Sequence, residues 1–176
     1  MLNAIEMILL CLVAQAALTD LTLRKIPNVL ILSGLLLALL LHGMSGQHGA
    51  ITQQWLAGTA TGFFLFLPLY LLRGMAAGDV KLMAMVGAFL GPLAALQTAL
   101  LATLLGGVLA LLILLRNGQW RRSWQNLRTL CAPLWWSCLG LPLQPVALAA
   151  GASAGGIPYG VAIALAAAST VALAHR

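Results

Sequence analysis

The chain holds only three carboxylate side chains, Glu6, Asp20 and Asp79, against nine Lys and Arg residues. Two carboxyl groups that approach within a few ångströms cannot both ionise readily, so they share a proton and titrate as a unit. The charged member can then activate a water molecule as general base, while the protonated member donates to a carbonyl oxygen. That is amide-hydrolysis chemistry, and Asp20 with Asp79 is the pair to test for it. Glu6 lies fourteen residues before Asp20, about 21 Å along a helix, and is too far away to join them. Other schemes find fewer parts. The histidines are His42, His48 and His175, and no His-Glu-x-x-His motif exists. A zinc site built on His42 and His48 lacks further ligands. Cys11, Cys131 and Cys138 are too few and too scattered for a disulfide framework or a four-cysteine zinc site. No metal and no cofactor is expected.

The elements that must position Asp20 and Asp79 follow from composition. Of the 176 residues, 62% are hydrophobic and 7% charged, whereas a soluble domain carries roughly a quarter charged residues. The apolar runs are long enough to cross about 30 Å of hydrocarbon at about 1.5 Å per residue. The fold class expected is all-α, a polytopic membrane bundle of about six transmembrane helices. The spans read as 3–20, 28–43, 54–72, 79–91, 93–115 and 157–174, in a single domain covering 1–176. The N-terminal run has no basic segment before it and no small-x-small cleavage site after it, so it reads as a first spanning helix.

Charge sets the expected orientation. With the N-terminus outside, alternation puts eight of the nine basic residues on the cytoplasmic side and leaves only Arg176 outside. The net charge of +6 is therefore read as topology, and no nucleic-acid partner is expected. The stretch from Leu82 to Leu115 holds 34 uncharged residues, about 51 Å as one helix, too long for a single crossing. Gly91-Pro92 supplies a break, since glycine permits the turn and proline ends or kinks a helix. The first arm is then short, and Asp79 is expected inside the membrane plane in a recess open to the cytoplasm. The loop 42–49 reads as an outer turn. Segment 116–156, with Trp120, Trp124, Trp135 and Trp136 among arginines and with Pro133, Pro142 and Pro145, reads as cytoplasmic and interfacial. No internal repeat is evident, and Gly58 and Gly62 have the spacing of close helix packing.

A structural reading stands beside each acid. Asp20 can end a helix and pair with Arg24, and Asp79 can cap the helix that follows it. Both acids at one face, in a chain nearly devoid of acids, favour function, because ionisable groups at membrane depth are costly.

Asp20-Leu21-Thr22-Leu23-Arg24-Lys25-Ile26-Pro27-Asn28 resembles the first catalytic block of the prepilin peptidases, and Gly78-Asp79-Val80-Lys81-Leu82-Met83 resembles their second, G-x-G-D. Gly156-Ile157-Pro158-Tyr159-Gly160 is similar to the Pro-Tyr-Gly block of their last helix. The resemblance implies an aspartic endopeptidase of the bacterial inner membrane that removes the basic leader from type IV prepilins and pseudopilins at the cytoplasmic face. Asp20 and Asp79 would be its catalytic pair, and prepilin helices and the bilayer its partners. Pro27, Asn28, Gly78, Lys81, Pro158 and Tyr159 would bind substrate or shape the site, with Asn28 also able to cap the second helix. The short form is most like the peptidases of Flp/Tad pilus systems, and without paired C-x-x-C motifs no methyltransferase activity is expected. One departure stands out: Ala76 replaces the first glycine of G-x-G-D, a strain if that position needs positive φ. Two other classes remain, a proton-coupled transporter and a non-catalytic pilus-assembly subunit.

Overall fold

The computed structural model describes residues 3–44, 49, 51–71, 74–116 and 159–175. Among these residues the chain forms six α-helices and no strand, an all-α membrane bundle. They are α1 (Ala4–Leu23), α2 (Asn28–Met44), α3 (Ala57–Leu71), α4 (Ala77–Leu90), α5 (Pro92–Arg116) and α6 (Tyr159–Ala174); a π-helical turn, Ile51–Leu56, leads into α3. The expected spans agree with these bounds to within a few residues, except that the third begins earlier, in the π-helical turn. The chain divides into two compact units. One comprises residues 1–107 and 158–176; the other comprises residues 108–157 and among described residues holds only the end of α5. The interfacial segment expected at 116–156 lies outside the described residues, Arg116 excepted.

Local chemistry explains the boundaries. At the end of α1, Arg24 takes the left-handed conformation (φ 53°) and its N–H bonds the Asp20 carbonyl at 3.0 Å. Three residues on, the Pro27 carbonyl accepts from Leu30 and Ile31 and starts α2. Gly91, at φ 82° and ψ 176°, separates α4 from α5, a conformation essentially restricted to glycine. Pro92 opens α5, where its missing N–H has no helical partner to lose. The Gly-Pro bend expected between 91 and 92 is therefore present.

Pairwise contacts fix the directions of the helices. Asp20 meets Gly160, and Glu6 meets His175 at 2.7 Å, so α1 and α6 run antiparallel. Asn28 meets Lys81, and His42 meets Ala88, so α2 and α4 run parallel. Gly58 and Gly62 of α3 lie directly on the backbone of α4 at Gly87 and Met83, where any side chain would collide with a carbonyl. This is the close packing that the spacing implied.

Buried residues run almost unbroken from Asp79 to Phe89, which makes α4 the centre of the bundle, against α1, α2, α3 and α6. Outward faces carry Leu18, Leu32, Leu36, Leu40, Leu100 and Leu104, all exposed. An apolar exterior of this extent suits lipid rather than water. Among the described residues two helices, Ala4–Leu23 and Pro92–Ile113, are long and apolar enough to cross a membrane; Asn28–Met44 and Tyr159–Ala174 are shorter apolar helices.

One sequence expectation changes here. His42 falls in both the expected second span, 28–43, and the expected outer turn, 42–49; it belongs to α2 and is buried, with Nε2 donating to the Ala88 carbonyl at 3.0 Å. The residue four beyond Ala88 is Pro92, which has no N–H to give. His42 supplies the donor that proline withholds.

Candidate active site

Asp20 comes from the last turn of α1 and Asp79 from the first turn of α4. Their helices pack together, and the chain folds so that both turns lie at the same end of the bundle, with the first turn of α6 beside them. The two acids are buried, 8% and 5% exposed, and lie within electrostatic range of one another. Glu6 sits at the opposite end of α1, paired with His175, as its sequence distance required.

Each acid is held by a main-chain donor. The N–H of Gly160 donates to Asp20 Oδ2 at 2.9 Å in a buried hydrogen bond. The N–H of Ala76 donates to Asp79 Oδ2 at 3.2 Å. Asp79 is the third residue of α4 and reaches back to the residue before the helix, half of the usual capping exchange. Alanine has no side-chain oxygen to complete the other half. Ala76 itself is extended, at φ −82° and ψ 153°. The position does not require positive φ, so alanine in place of the motif glycine brings no backbone strain.

The other sequence candidates divide into two groups. Gly78 lies against Ile26, whose atoms begin 3.5 Å from where a glycine Cβ would stand, so the turn before α2 rests on the start of α4. Tyr159 is half-buried with its ring packed over Gly106, and its phenol is within electrostatic range of Asp79. These two residues adjoin the acids. Lys81 follows Asp79 by two residues, about 200° around the helix, and is exposed. Its Nζ donates to Asn28 Oδ1 at 3.0 Å. Asn28 thus bonds Lys81, and the start of α2 is served by the Pro27 carbonyl instead. Asn28 and Lys81 border a groove of about 430 Å³ between α2, α3 and α4, walled by Ile31, Leu35, Phe63 and Ala84. Pro27 is exposed at the entry to α2, and Pro158 lies outside the described residues.

Sequence reasoning placed Gly160 in a motif but gave it no role. Its N–H donates to Asp20, and the signal available was its position next to Tyr159 at a helix start, where N–H groups lack partners. Among the described residues no three His, Cys, Asp or Glu side chains cluster as a metal site.

The helical bundle, apolar on its outer faces, thus holds two buried acids at helix termini of one end. The chain belongs to the type IV leader peptidase family, whose model matches residues 7–111, well over half of its length. Comparison with curated proteins and with solved structures gave no match.

Proposed function

We propose that the chain is a membrane aspartic endopeptidase that cleaves the basic leader from type IV prepilins and pseudopilins of the Flp class, with Asp20 and Asp79 as its catalytic pair. The observation that carries the reading is the burial of two carboxyl groups, from residues 59 apart in sequence, on packed helix ends within electrostatic range of one another, in a chain of the type IV leader peptidase family. One carboxylate removes a proton from water, whose oxygen attacks the scissile carbonyl carbon. The other, protonated, donates to the carbonyl oxygen as the tetrahedral intermediate forms. Collapse expels the new amine, which takes up a proton, and the shared proton is restored to the pair.

The same reading gives the protein a single membrane-embedded domain with its N-terminus outside and the pair facing the cytoplasm, beside Arg24 and Lys25. Support comes from the distribution of basic residues and from the antiparallel course of the helices. The fourteen residues of α4 span about 21 Å, less than the hydrocarbon thickness, which suits a pair recessed into the membrane. A prepilin joins a basic leader to an apolar helix, and its cut falls at that boundary.

The test is co-expression with a Flp-type prepilin, scored by loss of the leader. Asp20→Asn and Asp79→Asn should each reduce cleavage by at least about 10³-fold, with the protein still inserted and monodisperse in detergent. Processing by either variant at the normal rate removes that residue from the mechanism. Cleavage should continue in a chelator; its arrest would point to a metal enzyme instead.

A further inference from the structure

We infer that Gly160 is a positioning residue for Asp20: its N–H orients the carboxyl group through Oδ2, and its missing side chain lets the start of α6 come that close. The inference rests on the peptidase reading above. Tyr159 and Gly160 are the first two residues of α6, and the first N–H groups of a helix have no partner within it. Asp20, 140 residues earlier, serves as that partner at 2.9 Å and is buried while doing so. The fit leaves no spare room. A Cβ built on Gly160 would stand 2.8 Å from Asp20 Oδ2, 3.0 Å from its Cβ and 3.1 Å from its Cγ. All three atoms belong to a short side chain in the last turn of α1, so a methyl group must turn the carboxyl away or push the helices apart.

Asp79 is held in a parallel manner, its Oδ2 taking the N–H of Ala76 at 3.2 Å. Two backbone bonds, one from the residue before α4 and one from the first turn of α6, therefore orient the two carboxyl groups. Hydrolysis is sensitive to such aim: a misplacement of about 1 Å can lower a rate about 10²-fold. A wall that only bound substrate would alter KM instead.

The experiment compares wild type, Gly160→Ala and a variant in which residue 160 is replaced by glycolic acid through nonsense suppression, each assayed on the same purified prepilin in detergent. The ester linkage replaces the N–H with an oxygen and adds no bulk, so it removes the hydrogen bond without the steric clash of a methyl group. Gly160→Ala should lower kcat by about 10²-fold and the ester by about tenfold, both with KM within about threefold of wild type. Wild-type kcat in the ester variant, or a raised KM at unchanged kcat in either variant, overturns the inference. If Gly160→Ala does not accumulate in the membrane, the ester variant decides by itself. Failure of wild type to cleave any prepilin would defeat the peptidase reading, whereas a full-rate ester variant beside an inactive Asp20→Asn would defeat only the role of Gly160.

Discussion

Ala76 stands where the resemblance to prepilin peptidases implies a glycine, and Gly91 ends the same helix, yet the two positions make opposite demands. Ala76 is extended at φ −82°, a conformation open to any residue. Gly91 is at φ 82° with ψ 176°, and its missing side chain also leaves room for Gln54. Ala76→Gly should therefore preserve cleavage within about threefold. It should lower stability by up to about 1 kcal/mol, through the greater freedom of the unfolded chain; thermal unfolding in detergent checks it. A loss of cleavage on that change would mean that the methyl group of Ala76 contacts substrate. At the acids, the simple capping role open to Asp79 is not the one it takes, since Ala76 is the residue before α4 and Asp79 is the third residue within it. It bonds the backbone at the start of its helix through Oδ2.

At the scale of the elements, α4 carries the argument, since it brings Asp79 to α1 and fills the centre of the bundle. Its approach to α3 depends on glycines facing backbone: Gly58 against Gly87, and Gly62 against Met83. Without a hydrophobic force to join helices in lipid, this intimate packing is a main source of their association. A larger residue there must separate the pair. Gly58→Leu and Gly87→Val should each destabilise the protein by about 1–3 kcal/mol and lower cleavage together with the melting temperature. This pattern is distinct from the aspartate variants, which should lose cleavage and keep their melting temperature. Unchanged stability in Gly87→Val would show that α3 and α4 do not meet at this point.

For the whole molecule, the alternating helices place the acids, the start of α2 and the start of α6 at one end, and Glu6, His42 and His175 at the other. Orientation in the bilayer then reduces to which end faces the cytoplasm. In a chain whose native cysteines are replaced, Lys25→Cys should react with an impermeant thiol reagent only after the inner membrane is opened, and Ser45→Cys should react in spheroplasts with the membrane intact. The reverse pattern would turn the proposed site to the outside, away from a basic leader held in the cytoplasm.

Much of this was legible in the amino-acid order. Run lengths and the scarcity of charge dictate a membrane bundle, because backbone polar groups in lipid must be satisfied within helices. Gly91-Pro92 dictates the fold-back, and three acids in 176 residues leave one pair to consider. Which face of each helix turns inward was not legible. The helices are apolar on nearly every side, so hydropathy carries no direction, and small residues and hydrogen bonds decide it instead. The bonds of Gly160 to Asp20, His42 to Ala88 and Lys81 to Asn28 join residues 140, 46 and 53 apart. Each depends on the rotation and depth of two helices at once, which only their packing against one another can set.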